Sequence, residues 1–201
     1  MKIILGSNSK RRKELLDMLK IKYEIVVSDE DEVINSNLSN LENCQNISLQ
    51  KAINVKNKTK GDRIIITCDT IVQKNKKLYG KPKDRLDAIN MLKMLSGTYH
   101  EVISCLTIIK IKANKEEIFK DYNTCKVYFD NLTDEEIIDW VDNHSPYDKA
   151  GSYAIQEEFG KHITKIEGDF YTIVGLPFNK LYNILKKIDE CIFVNDVKQK
   201  N

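Results

Sequence analysis

The sequence predicts an α/β fold with a mixed, twisted sheet flanked by helices, and three observations carry that expectation. Short β-branched runs alternate along the chain with segments of helical periodicity. No Pro-, Gly- or Ser-rich linker divides them. The 201 residues, 41% hydrophobic and 31% charged, suit one globular core that buries roughly 70% of the unfolded chain's surface. One domain is therefore expected over residues 1–188, with a polar C-terminal tail over 189–201.

The elements follow in order. Lys2–Leu5 reads as a short buried strand closed by Gly6. Leu15, Leu16 and Leu19 recur at helical spacing in Lys10–Lys20, with Ser9 placed as N-cap. Tyr23–Val27 alternates as a second strand, and Asp29–Asn46 is polar and reads as loop. Ser48 is placed to cap a helix over Leu49–Thr59, with Ala52 and Val55 on its inner face. Arg63–Cys68 is continuous and β-branched, the signature of a strand buried on both faces. Thr70–Val72 and Lys77–Tyr79 flank a hairpin turn at Lys74-Asn75-Lys76. Asp84 opens a helix with Leu86, Ile89, Met91, Leu92 and Leu95, stopped by Gly97. Tyr99–Ile111 and Glu117–Phe129 form two long antiparallel strands around Lys112–Lys115. Thr133 with Glu136 makes a capping box for Glu135–Val141, and Phe178–Ile188 is a last amphipathic helix.

Composition removes several function classes. Basic and acidic residues number 32 and 30, a net charge of +2, so nothing draws the whole molecule to nucleic acid or membrane. The longest apolar stretches, such as Ile64-Ile65-Ile66, fall far short of a membrane span. The apolar start ends at Gly6, too soon for a signal peptide. Five scattered cysteines without C-x-x-C spacing argue for free thiols in a reducing compartment, hence a soluble cytoplasmic protein. His100, His144 and His162 lack metal-ligand spacing, and no Gly-x-Ser-x-Gly elbow or P-loop is present.

The chemistry-bearing residues are elsewhere. Only four basic residues are arginines, and two of them, Arg11 and Arg12, adjoin in Ser7-Asn8-Ser9-Lys10-Arg11-Arg12 between a strand and a helix. Such a turn exposes backbone N–H groups at the positive helix end, and the guanidinium fork grips phosphate through paired bonds. Cations there cost ~0.3–1 kcal/mol each, so three in succession make sense opposite an anion. Asp69 closes a hydrophobic strand, where a rigidly held carboxylate serves as general base or metal ligand. The acidic run Ser28–Glu32 suits a hard divalent cation, and Lys51 and Lys81 (in Gly80-Lys81-Pro82) are further phosphate contacts. Asp148–Gln156 mixes small, charged and aromatic residues as binding loops do, with Gln156 able to read a base edge. Gly175-Leu176-Pro177 reads as a structural turn.

Taken together, these motifs resemble those of the Maf family. Ser-x-Ser-x-Arg-Arg, the acids after strand two, Lys51-Ala52, Asp69-Thr70-Ile71-Val72, Gly80-Lys81-Pro82, Leu95-Ser96-Gly97, Asp148-Lys149-Ala150-Gly151 and Gly175-Leu176-Pro177 stand in the family's order over residues 2–187. The resemblance implies a two-lobed architecture around a cleft, similar to inosine-triphosphate pyrophosphatases, and a nucleoside triphosphate pyrophosphatase activity. Arg11, Thr70 and Gln156 match the branch acting on dTTP and UTP rather than the one preferring 7-methyl-GTP. Lys10 replaces the family's usual proline, and Glu157 replaces the glycine after Gln156.

The implied site has Ser7, Ser9, Arg11, Arg12, Lys51 and Lys81 on the polyphosphate and Asp69 as the catalytic carboxylate. Glu32 and Asp69 would hold a divalent metal, Mg²⁺ or Mn²⁺. The partner is a small-molecule nucleotide, with no nucleic acid and no membrane, and a homodimer is implied. Within the enzyme class 7-methyl-GTP or another modified nucleotide is the runner-up substrate, and two other classes compete: a non-catalytic nucleotide-binding protein of cell division, and a nucleic-acid binder. The near-zero charge and the missing aromatic-basic stripe disfavour the second.

Overall fold

The computed structural model describes residues 1–193. Its strands are β1 (Lys2–Leu5), β2 (Glu24–Ile25), β3 (Arg63–Lys74), β4 (Lys77–Tyr79), β5 (Tyr99–Lys112), β6 (Lys115–Phe129) and β7 (Ile163–Glu167). They lie in the order β2-β1-β3-β5-β6-β7, with β4 paired to β3 off that path. β1 runs parallel to β2 and β3, whereas β4 and β7 are antiparallel to β3 and β6. The sheet is mixed, as expected. The helices are α1 (Lys10–Met18), α2 (Asn40–Lys58), α3 (Arg85–Leu95), α4 (Asp134–His144), α5 (Phe170–Val174) and α6 (Phe178–Ile188). No helix among the described residues is long and apolar enough to cross a membrane.

The chain divides into two compact units. The first holds Met1–Asp69, Cys105–Tyr122 and the chain from Gly175 onward; the second holds Thr70–Ser104 and Asn123–Val174. In the first, Ile4, Ile65, Ile109, Ala52 and Val55 pack together, putting α2 against β1 and β3. Gly6 permits this closeness, since a Cβ there would stand 2.5 Å from Thr67 Cγ2. In the second, α3 and α4 bury Leu92, Leu95, Ile137 and Trp140 with Val72, Val127, Phe129 and Phe159. The Trp140 indole N–H finds the Ser152 carbonyl at 2.8 Å, so its polar edge is satisfied inside the core.

Several elements match the sequence reading. Thr133 and Glu136 close the capping box of α4, Asp84 caps α3, and α6 has the predicted bounds. The hairpin turns narrow to Asn75-Lys76 and Ala113-Asn114, all four residues at positive φ, the backbone that two-residue hairpins need.

Other expectations are corrected. The loop predicted over Asp29–Asn46 gives way at Asn40 to α2, capped by Ser39 with Glu42 in a second capping box. Ser48 is therefore no cap but a buried mid-helix residue. Strand two shrinks to Glu24–Ile25, both exposed. Leu86 faces solvent at 66% exposure, one step off the face that buries Ala88, Ile89, Leu92 and Leu95. Asp69 does not end its strand: Thr70-Ile71-Val72 continue β3, and Val72 pairs with Tyr79 of β4. Of the predicted tail, Glu190–Phe193 forms a short 3-10 turn and residues 194–201 lie outside the described residues.

Candidate active site

In the first unit a helix and a strand meet in register. Cys44, Ser48, Lys51, Ala52 and Val55 share one face of α2, following its 3.6-residue period. Ile65, Thr67 and Asp69 share one face of β3, following the period of two. The two periods are pinned at one point. Thr67 Oγ1 donates to the Ser48 carbonyl at 2.8 Å, and Ser48 Oγ bonds Thr107 Oγ1 at 3.0 Å. One helical turn beyond Ser48 and two strand residues beyond Thr67, Lys51 Nζ arrives 2.7 Å from Asp69 Oδ1.

Lys51 also reaches Glu32 Oε1 at 2.8 Å, so one ammonium bridges both carboxylates. Burial opposes the charge on Lys51, but Asp69 and Glu32 together outweigh it and hold its pKa above the ordinary lysine value. The ammonium thus stays protonated through the physiological range. The Asp69 carbonyl meanwhile accepts from the buried thiols of Cys44 at 3.4 Å and Cys68 at 3.5 Å. Asp69 is held by side chain and main chain alike.

This arrangement bears on the predicted metal. Two carboxylate oxygens from different segments converge on one cationic point, which the lysine ammonium marks. Mg²⁺ and Mn²⁺ are hard cations, and Mg²⁺ commonly takes one or two protein carboxylates plus substrate phosphate oxygens and water. Glu32 and Asp69 fit that donor set. Among the described residues no larger group of His, Cys, Asp and Glu is assembled for a metal.

The mouth of α1 lies in the same unit. Ser7 is buried, and its Oγ accepts from the Ser9 backbone N–H at 3.2 Å and from Arg12 Nη1 at 3.3 Å. Both bonds are accepted by the Ser7 oxygen, which ties it to the start of α1. Arg12 Nε donates to the Gly175 carbonyl at 2.9 Å, which fixes the guanidinium. Gly175 has φ +126, a backbone region that favours glycine. The predicted structural turn therefore also orients an arginine. Ser9 stands at the N-cap position but makes no side-chain cap bond. Arg11 is half-buried, whereas Lys10 is 90% exposed and faces Glu14 at 3.8 Å.

Thr70, Lys81 and Gln156 belong to the second unit. Thr70 is half-buried on β3, with its Oγ1 2.8 Å from Ser104 Oγ. Lys81 is exposed, and the Gly80 carbonyl before it accepts from Gly151 N–H at 3.1 Å, tying that segment to the Asp148–Gln156 loop. Gln156 is exposed on the turn closing this loop. Its neighbour Glu157 lies 3.5 Å from the buried Lys149 ammonium, which also bonds Asp148 at 2.9 Å. The charge that departs from the family pattern is thus partnered.

Sequence reading missed Ser104, Thr172 and Lys149 as individual residues. A buried serine inside a strand or one lysine among many carries no spacing signal; only tertiary contacts single them out.

Comparison with known proteins completes the description. The family model described as Maf-like protein matches residues 2–188. The dTTP/UTP pyrophosphatase of Alkaliphilus oremlandii is 44% identical over 92% of this chain and 94% of its own. That of Clostridium tetani is 45% identical over 94% and 98%. Among solved structures, the Ham1 protein of Staphylococcus aureus aligns over 94% of this chain and all of its own at 14% identity, with a TM-score of 0.46.

Proposed function

This chain belongs to the Maf family, and from that premise we infer that it hydrolyses dTTP and UTP to the monophosphate and pyrophosphate. The observation that carries the reading is the bridging of Asp69 and Glu32 by Lys51 within the unit that also holds the Ser7–Arg12 helix mouth.

The assignment of roles follows from what each group can donate or accept. Ser7 offers its hydroxyl and Arg11 and Arg12 their guanidinium N–H groups, while Ser9 stands at the N-terminus of α1, the positive end of the helix; together they bind polyphosphate oxygens. Lys51 and Lys81 add ammonium donors. Glu32 and Asp69 would hold Mg²⁺ or Mn²⁺, which when bound supplies charge neutralisation on the phosphates. Asp69 takes a proton from the attacking water as its oxygen bonds the α-phosphorus and the bond to the bridging oxygen breaks. Pyrophosphate then leaves into a field of cations, and such positioning and electrostatics are most of what phosphoryl transfer asks of a protein. Thr70 and Gln156 read the base. Four buried free thiols suit a reducing, cytoplasmic setting.

A panel of dTTP, UTP, CTP, GTP and 7-methyl-GTP, assayed for pyrophosphate with Mg²⁺ or Mn²⁺, tests the reading. dTTP and UTP are expected to be hydrolysed best. Release of no pyrophosphate from either would overturn it.

A further inference from the structure

The chain before α2 lies along that helix and is tied to it at regular intervals. Lys58 Nζ donates to the Val27 carbonyl at 3.0 Å and pairs with Asp29 at 2.8 Å. Lys51 bridges to Glu32 at 2.8 Å. Asn43 accepts the Asn35 N–H on its Oδ1 at 2.8 Å and returns Nδ2 to the Asn35 carbonyl at 3.0 Å. The partners run in opposite directions, since Asp29, Glu32 and Asn35 in turn meet Lys58, Lys51 and Asn43. Three extended residues span about 10 Å, and seven or eight helical residues rise about 10–12 Å. Residues 27–35 therefore form a strap in step with α2, and Glu32 stands at its middle tie.

Packing does little to fix that middle point. An open cavity of about 500 Å³ is lined by residues 30–33 of the strap and by Ile47, Gln50 and Lys51 of α2. Val33 and Ile34 are 76% and 50% exposed, so apolar burial adds little hold. The Asp29 carboxylate that meets Lys58 is exposed as well, and such ion pairs hold weakly. Asn43, in contrast, is buried, and its Nδ2 also reaches the Leu38 and Ser39 carbonyls at 3.3 and 3.1 Å. A side-chain amide has both an acceptor and donors, so one residue pairs with both main-chain groups of Asn35 as a neighbouring strand would. Breaking such bonds away from water leaves polar groups unmet.

We propose that Asn43 is a positioning residue for Glu32: by anchoring the strap at Asn35, it sets where the Glu32 carboxylate stands relative to Lys51 and Asp69. This rests on the reading above, in which Glu32 and Asp69 act together at the phosphates. Asn43 exerts its effect through the strap, from about two helical turns along α2.

The experiment measures amide hydrogen exchange in the nucleotide-free protein and kcat/KM for dTTP. It compares wild type, Asn43→Ala, Asn43→Ser and Glu32→Gln, and each Asn43 variant combined with Glu32→Gln. In Asn43→Ala the amides of residues 30–36 are expected to exchange about tenfold faster or more, with β1 and β3 exchanging as in wild type. Its kcat/KM is expected to fall about 10- to 100-fold, the usual effect of losing a group that orients a ligating carboxylate. Combined with Glu32→Gln, the Asn43 substitution is expected to cost nothing further, because no carboxylate is left to position. A merely structural role would multiply the two losses. Asn43→Ser keeps a hydroxyl for the Ser39 carbonyl one turn back but loses the pairing with Asn35. It is expected to show the same pattern in milder form, and it carries the test if the alanine variant does not fold. Unchanged exchange in the strap, or losses that multiply, overturns this inference alone. A Glu32→Gln protein as active as wild type, or a wild type that releases no pyrophosphate from dTTP or UTP, overturns the role of Glu32 and this inference with it.

Discussion

The two units differ in the polar groups they bring to the candidate site. In the first, charged side chains answer one another, Lys51 between Asp69 and Glu32 and Arg12 against Ser7 and the Gly175 carbonyl, above a neutral Ser48–Thr67–Thr107 network that pins α2 to β3. In the second, most are neutral and directional: Thr70 to Ser104 to Thr172, and His100 Nε2 beside the Tyr153 hydroxyl at 2.8 Å. The Lys149 ammonium, buried beside the exposed carboxylates of Asp148 and Glu157, is an exception. Paired charges hold one another in place while leaving little uncompensated charge inside the protein. Neutral networks hold each hydroxyl in one direction, because reversing one bond leaves a buried polar group unpaired.

Removing charge from the first unit is the most direct way to break the contrast. Asp69→Asn keeps an oxygen for the Lys51 ammonium but cannot take a proton from water. Turnover of dTTP is expected to drop about 10³-fold in a protein that still folds, since Glu32 continues to pair the Lys51 ammonium; a variant working at wild-type rate removes Asp69 from its role. Lys51→Met keeps the length of the side chain and leaves a buried carboxylate without its ammonium. Breaking a buried pair from one side costs about 3–5 kcal/mol, so urea denaturation should show a loss of that size along with lost activity. A loss below about 1 kcal/mol would mean that the pair behaves like a surface ion pair.

The neutral character of the second unit has its own signature in pH. Burial, with a smaller contribution from the charge of Lys74, pushes the His100 imidazole down to about 3. Phe129 and Tyr153 pack edge-on against the ring, and its Nδ1 has no hydrogen-bond partner, so the charged ring, which needs an acceptor at each nitrogen, leaves its Nδ1 proton unmet. Below about pH 6.5 the unfolded chain takes up a proton on this residue that the folded chain refuses. Stability is therefore full above that pH and falls as the pH drops toward 3, by up to about 1.4 kcal/mol per unit. Denaturation of wild type and His100→Gln between pH 7 and 4.5 isolates this contribution. The variant is expected to lose the His100 part of the slope, and identical slopes would show that the imidazole charges in place.

These contrasts also explain what could be read from the sequence. Periodicity and turn chemistry are local, so α6, the capping box at Thr133 and the turn at Asn75-Lys76 were legible, and so was the Ser7–Arg12 segment as a cationic helix mouth. The start of α2 was not, because Ser39–Asn46 is polar and the helix there is made by a capping box and by Asn43, buried with its amide on the Asn35, Leu38 and Ser39 carbonyls. Asp69 was recognised as a carboxylate after an apolar run, yet its place inside β3 depends on β4 pairing beyond it. Lys51 is legible only as one candidate phosphate contact among many lysines, whereas its hold on Asp69 follows from the Ser48–Thr67 contact, which pairs residues distant in sequence. Ser104 had no signal at all, since direction in a hydroxyl network is a property of the folded neighbours alone.

The smallest effect separates two helix starts that look alike in sequence. Ser9 and Thr133 both stand at N-cap positions, but only Thr133 accepts from the N3 backbone, Glu136 N–H at 3.2 Å, while Glu136 reaches back to the Thr133 N–H at 2.8 Å. Thr133→Ala is therefore expected to cost about 1 kcal/mol of stability with no change in catalysis. Ser9→Ala removes no cap bond and should change stability by less than about 0.5 kcal/mol. If the proposed phosphate seat is right, its effect falls instead on KM for the nucleotide, expected to rise severalfold as the N-terminus of α1 loses a hydroxyl. Equal destabilisation by the two variants, with nucleotide affinity intact in both, would make the mouth of α1 an ordinary capped helix start and take the anion seat away from it.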